Sequence, residues 1–163
     1  MTVICISGTP GTGKSEVAKA LSKKLGWMLV SLNDLAESKN LYAGYDDERD
    51  CRIVDEERVK AELDRSAEMH NIIAESHYAH DMNCDWVVIL RANPAELRER
   101  LKDKGWKPKK IEENVLSEIM EVCKSEAMER GRKVLEFDTT GKAADKVADE
   151  IISELKRKKV IEV

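Results

Sequence analysis

Aromatic bulk and cross-linking chemistry are both scarce in this sequence. Only 4% of its 163 residues are aromatic, with a single phenylalanine, and only four are cysteine. Cys5, Cys51, Cys84 and Cys123 lie far apart with no Cys-x-x-Cys pair, which gives no support to a zinc site or a disulfide framework. No apolar run approaches the roughly 18 residues that a membrane span requires, and Met1-Thr2-Val3 lacks the basic start of a secretion signal. A cytoplasmic chain with reduced thiols and no membrane partner is the expectation. Excess positive charge is also missing. The net charge of −4 argues against indiscriminate nucleic-acid binding and leaves no case for sequence-specific DNA recognition. Repeats, linkers and low-complexity tracts are absent, so residues 1–163 read as a single domain.

What is present is enough for one core. Hydrophobic residues make up 42% of the chain and charged residues 37%, which suits one α/β domain with a heavily solvated surface. Val3-Ile4-Cys5-Ile6 is a continuous apolar run, as expected of a strand covered on both faces. Trp27 to Val30, Ile72 to Ala74, Trp86 to Leu90 and Val134 to Phe137 are the other strand candidates. Between them, Val17, Leu21 and Leu25 recur at helical spacing, as do Val59 and Leu63 after Asp55, and Leu97 and Leu101 after Asn93-Pro94. Asp34 is expected to cap a brief helix, Leu41 to Cys51 reads as an irregular acidic stretch, and one long helix is expected from about Ile111 to Glu129. A last helix starts near Ala143. Strands alternating with helices predict a doubly wound parallel sheet of about five strands with helices on both faces.

Gly8-Thr9-Pro10-Gly11-Thr12-Gly13-Lys14-Ser15 matches G-x-x-x-x-G-K-[ST] at every fixed position. At ordinary residue frequencies the match arises by chance about 10⁻⁴ times per start, roughly 1% over the chain. It also stands where its chemistry requires, after a buried strand and before a helix. Glycines let backbone N–H groups approach phosphate oxygens closely, and the helix N-terminus directs its dipole at them. The pattern therefore predicts an ATP cradle with Lys14 on the β- and γ-phosphates and Ser15 on Mg²⁺. A GTPase would need D-x-x-G soon after this loop and N-K-x-D later. Asp138-Thr139-Thr140-Gly141 comes too late for the first, and the second is absent.

Beyond this loop, Asp34-Leu35-Ala36, Leu41-Tyr42-x-Gly44-Tyr45-Asp46, Asp50-Cys51 and Val54-Asp55-Glu56-x-Arg58-Val59 form a distinctive set. With Glu75-x-His77 and Lys104-Gly105-Trp106, the chain resembles the short adenylate kinase family of archaea and eukaryotic nuclei, which includes the coilin-interacting nuclear ATPase. The resemblance implies a P-loop nucleoside monophosphate kinase fold, with a nucleoside monophosphate flap over about residues 31–54 and a lid over about 103–113. It implies transfer from ATP to a nucleoside monophosphate, preferably AMP, together with ATPase activity and a role in late maturation of the small ribosomal subunit. The alternative it leaves open is an ATPase switch that binds the small subunit or one of its proteins and has little kinase activity.

By position, the resemblance assigns Gly11, Thr12, Gly13, Lys14, Ser15 and Glu16 to the ATP cradle. Glu75 stands where the family usually has Asp, and is either a holder of Mg²⁺ with Ser15 or an ordinary strand-end carboxylate. His77 either positions the attacking water or lid residues or is a bland histidine, and His80 reads as structural. Arg100 and Lys104 fit the family's R-[IL]-x-x-[RK] at the lid entrance, where Arg100 can face adenine or phosphate and Lys104 can meet phosphate as a point charge. The turn Thr139-Thr140-Gly141 lies where the fold meets the adenine edge. Two departures point to modest turnover. Ser76-His77-Tyr78-Ala79 replaces a Gly-Phe-Pro-Arg segment, and the helix after the lid carries Glu112, Glu113, Glu118, Glu121 and Glu126 instead of arginines. Lys156 to Lys159 is a solvated helix end or a contact for ribosomal RNA.

Overall fold

The computed structural model describes residues 1–162. The first half runs β1 (Val3–Ser7), α1 (Lys14–Leu25), β2 (Met28–Ser31), α2 (Leu32–Ser38), β3 (Tyr42–Asp46), β4 (Cys51–Val54) and α3 (Glu56–Ala67). The second half runs β5 (Ile72–Glu75), a 3₁₀ turn (Ala79–Asp81), β6 (Trp86–Arg91), α4 (Pro94–Asp103), α5 (Pro108–Ile119), α6 (Val122–Glu129), β7 (Val134–Asp138) and α7 (Ala144–Arg157). Five strands pair in the order β2-β5-β1-β6-β7, and every pair is parallel. The expected doubly wound sheet is present, with β1 at its centre.

The continuous apolar character of β1 follows from that central place. Its residues alternate between faces, and both faces are covered. Ile4 and Ile6 pack with Val17 and Leu21 of α1 and with Val147, Ile151 and Leu155 of α7. Val3 and Cys5 face the opposite layer, where Leu32, Val59, Leu63, Tyr78 and Met82 are buried. Because β1 is flanked by β5 on one side and β6 on the other, the chain leaves it at the switch point of the sheet. Such a point opens a crevice beyond the carboxyl ends of the strands.

Four local expectations are corrected. The stretch read as irregular is an antiparallel hairpin, β3 with β4. Ser31, rather than Asp34, caps α2 by accepting from the Asp34 N–H. The single long helix is two, α5 and α6, broken at Glu121, which takes a left-handed φ of 56°. Arg91 accounts for the break: its Nη2 donates to Glu118 O (2.8 Å) and its Nη1 to the Glu121 carboxylate (2.8 Å), so a cation satisfies a carbonyl where the helix stops. Finally, Cys5 and Cys84 are joined in a disulfide, contrary to the expectation of four reduced thiols. Their sequence separation of 79 hid a pair that the sheet brings together, since β6 begins two residues after Cys84 and lies against β1. Cys51 and Cys123 are free.

The core on the α1 face contains Leu21, fully buried between α1, the sheet and α7. Leu21→Ala is expected to lower the unfolding free energy by about 2–5 kcal/mol. The same change at the exposed Met69 should leave it within about 0.5 kcal/mol. Denaturant unfolding of the two variants checks the contrast.

Candidate active site

The loop between β1 and α1 lies at the switch point and is held open by contacts from outside itself. Gly11 takes φ 92° and rests against α4, where an added Cβ would stand 2.8 Å from Leu97 and Leu101 side-chain carbons. Only a residue without a side chain fits that approach and that φ. Gly13, with φ 95°, precedes α1, and no side chain caps the helix start. Thr9 is the hub of the loop. Its carbonyl accepts from Thr12 N (3.2 Å), Thr12 Oγ1 (2.7 Å) and Lys14 Nζ (3.1 Å). Its own hydroxyl donates to Glu118 Oε1 of α5 (2.9 Å).

Lys14 leads from the loop into the cleft. Burial draws its ammonium down from the ordinary lysine range to about 8, against the smaller upward pull of Glu75 and neighbouring acidic groups. Beside it, Ser15 Oγ donates to Glu75 Oε1 at 3.4 Å. Glu75 ends β5 and is 7% exposed. A hydroxyl and one carboxylate at the floor of a phosphate loop suit Mg²⁺, which keeps several waters and takes its remaining ligands from substrate phosphates. Among the described residues no cluster of three or more His, Cys, Asp or Glu could hold a metal alone. Glu16 points to solvent and pairs with Lys19 (3.9 Å).

His77 opens onto the cleft two residues past Glu75. Crowding by the surrounding protein, and then the nearby Lys14 ammonium, hold its imidazole neutral, down to about 4. His80 is buried, with Nδ1 2.7 Å from Ser7 Oγ and Nε2 3.0 Å from Glu126 Oε1, the structural part expected of it. Between these histidines, Tyr78 lines the cleft with a hydroxyl that has no partner among the described residues.

Arg100 is engaged rather than free. Its guanidinium donates to Gly11 O (3.2 Å), Thr139 Oγ1 (3.1 Å), Thr139 O (3.0 Å) and Glu96 Oε2 (2.8 Å). It thereby joins α4, the phosphate loop and the turn after β7. Thr139 completes that junction by donating to Thr12 O (2.8 Å). Lys104, one turn further on, has no hydrogen-bond or ion-pair partner among the described residues and lines the same cleft. Trp106 packs on Leu97, Leu101, Ile111 and Val115, with Lys110 Nζ 4.0 Å from its ring centroid.

One cleft thus gathers Lys14, Ser15, Glu75, His77, Arg100 and Lys104, and residues of α2, β3, β4 and the segment after α4 also line it. Thr9 and Glu118 were not singled out as site residues from the sequence. Thr9 occupies a variable position of the motif, and Glu118 was one glutamate among six in the stretch expected to form one acidic helix. No local signal marked either.

A parallel sheet in this order, with a phosphate loop at its switch point, defines a P-loop nucleotide-binding protein. A family model described as AAA domain matches residues 4–121. A Methanocaldococcus jannaschii protein described as "Putative adenylate kinase" is 38% identical over 96% of this chain and 87% of its own length. One from Thermococcus onnurineus with the same description is 40% identical over 94% of this chain and 84% of its own. Among solved structures, shikimate kinase from Acinetobacter baumannii superposes with a TM-score of 0.66 at 16% identity, covering 99% of this chain and 96% of that one. At that identity the likeness speaks of fold alone. The chain belongs to the adenylate kinase-like family of P-loop proteins that these archaeal relatives represent.

The position of Lys14 gives a pH dependence. Its folded pKa is depressed to about 8, and a bound polyphosphate favours the ammonium and raises it again. Affinity for MgATP is therefore highest below about 8 and falls as pH rises through it, by up to about tenfold per unit. Calorimetry between about pH 7 and pH 9.5, in buffers of different ionisation enthalpy, should register proton uptake near pH 8. Lys14→Ala should abolish that uptake.

Proposed function

We propose that this protein is a nucleoside monophosphate kinase, transferring the terminal phosphoryl group of MgATP to a nucleoside monophosphate with AMP preferred. The observation that carries this is that one cleft is lined by the phosphate loop, by α2 and the β3–β4 hairpin, and by the segment after α4. A donor nucleotide on the loop and an acceptor against the hairpin would meet over Lys14. We take residues 31–54 as the acceptor flap and 103–113 as the lid of one domain.

Phosphoryl transfer is catalysed chiefly by positioning and charge. Amides of Gly11, Gly13 and Ser15 would cradle the donor phosphates, with Thr12, whose N–H is held by Thr9 O, shaping the turn and Glu16 at the outer edge. Lys14 spans the β- and γ-phosphates, and Lys104 neutralises charge on the migrating group. Ser15 and Glu75 would hold Mg²⁺, which supplies charge neutralisation across the phosphates when bound. Neutral His77 can hold the acceptor phosphate or a water by hydrogen bonding without adding charge. Arg100 holds the loop and the adenine-edge turn Thr139-Thr140-Gly141 together at the donor end. Closure of flap and lid excludes water, the competing acceptor.

One observation favours ATP hydrolysis as a second activity. Of the glutamates on α5 and α6, Glu113 and Glu126 line the cleft, where cations would speed transfer to the monophosphate, so that transfer is slow and water can compete for the phosphoryl group. A small-ribosomal-subunit partner for that ATPase activity follows from the family resemblance, and Lys156-Arg157-Lys158-Lys159 is the basic segment it would use.

With MgATP and AMP, the protein should form two ADP per ATP consumed. A ligand joining two adenosines through five phosphates should inhibit it, and Lys14→Ala should slow it by about 10²-fold or more. Phosphate release indifferent to AMP, with no inhibition by that ligand, would leave hydrolysis as the only activity. Stimulation of phosphate release by small ribosomal subunits tests the partner.

A further inference from the structure

Glu118 is a buried carboxylate whose role the cleft residues do not explain. It is 4% exposed, and both its oxygens are engaged. Oε1 accepts from the Thr9 hydroxyl at 2.9 Å. Oε2 accepts from Arg91 Nε and from the Ala92 backbone N–H, each at 2.9 Å. Arg91 is itself fixed by Glu121 (2.8 Å) and Glu136 (3.3 Å). Burying an ionised carboxylate costs several kcal/mol before its partners offset it, and an apolar side chain would serve plain stability as well or better. The arrangement is therefore better explained by what it holds in place.

It holds Thr9. The Thr9 carbonyl is the acceptor shared by Thr12 N, Thr12 Oγ1 and Lys14 Nζ. Moving Thr9 moves the reference point of the whole loop and of its lysine. Glu118 lies near the C-terminal end of α5, whose first turns belong to the segment read as the lid. Its other partners close the end of β6. A single side chain thus joins the helix leading out of the lid, the C-terminal end of β6 and the phosphate loop.

We propose that Glu118 is a positioning residue for the nucleotide: through Thr9 it sets the shape of the phosphate loop and ties that shape to the helix that carries the lid. This rests on the proposed nucleotide-binding reading and adds to it a residue outside the cleft. Glu118 touches no phosphate. It acts by holding the Thr9 carbonyl where Lys14 and Thr12 converge, so that the loop amides stay turned inward before the nucleotide arrives.

The test measures MgATP affinity by calorimetry on the full chain, with nucleotide-free thermal unfolding as the control for folding. Thr9→Val is nearly isosteric and removes only the hydroxyl that meets Glu118. It should unfold within a few degrees of wild type yet bind MgATP about tenfold more weakly, the loss of one hydrogen bond to a charged group. Thr9→Ser restores the hydroxyl and should bind as wild type does. Glu118→Gln should weaken binding to a similar degree, and the double variant T9V/E118Q should be no weaker than the weaker single one, since both remove the same link. Wild-type affinity in T9V, or additive losses in the double variant, would overturn the proposal. If E118Q does not fold, T9V against T9S still decides whether the hydroxyl is needed. Failure of the wild type itself to bind MgATP would count against the nucleotide reading, not against this link.

Discussion

A loop that must offer most of its amides to a phosphate can use few of them to stabilise itself. Backbone N–H groups left without internal partners are costly when buried, and a glycine-rich segment has more conformational entropy to lose than any other. Its shape must therefore be imposed from outside. The contacts around Gly8 to Ser15 do this from several directions. Thr139 holds Thr12 O, Arg100 holds Gly11 O, Leu97 and Leu101 of α4 close against Gly11, and Glu118 holds the Thr9 hydroxyl. All of these come from elements far along the chain. The loop is local in sequence, but its conformation is a property of the whole second half of the fold.

The electrostatics of the cleft follow the same logic. Lys14 sits among protein that penalises its charge, which is why burial lowers its pKa. A polyphosphate removes that penalty, so the lysine is poised to respond to the ligand. His77, held neutral by crowding and by the same ammonium, adds no second positive charge beside it. Lys104, at the turn that leads into α5, lines the same cleft with no side-chain partner among the described residues. Positive charge is thus offered both at the floor of the cleft and along the segment after α4.

Much of the architecture was legible in the sequence because period and punctuation are local. The apolar run Val3 to Ile6 could only be a covered central strand, and Asn93-Pro94 opens α4 as its cap chemistry predicts, with Asn93 Oδ1 accepting from Glu96 N at 2.8 Å. The phosphate motif and the Ser15–Glu75 pair were legible too, the second through resemblance. What was hidden depends on distance. The Cys5–Cys84 link and the Thr9–Glu118 link each join residues many tens of positions apart, and nothing in the local pattern of either residue betrays its partner. The break at Glu121 was hidden for the same reason: a strand-end arginine, Arg91, causes it from outside the helix. The hairpin of β3 and β4 escaped because its strands are short, both of their faces are largely exposed, and acidic residues crowd the turn between them, so alternation was faint.

Arg100 shows how a motif match and a role can diverge. Its place at the lid entrance made it a candidate to touch phosphate or base, yet its guanidinium is spent on Gly11 O, Thr139 and Glu96. The planar fork of arginine suits exactly this kind of many-sided junction, whereas lysine offers a single mobile charge. The two cations therefore differ in the structure: Arg100 is fixed to the cradle, whereas Lys104 lines the cleft with no side-chain partner among the described residues. Glutamates on α5 and α6 extend the pattern. Read as missing cations they weaken catalysis, but Glu118 and Glu126 are occupied with Thr9 and His80. Part of the charge that transfer would favour has been replaced by wiring that keeps the phosphate loop in shape.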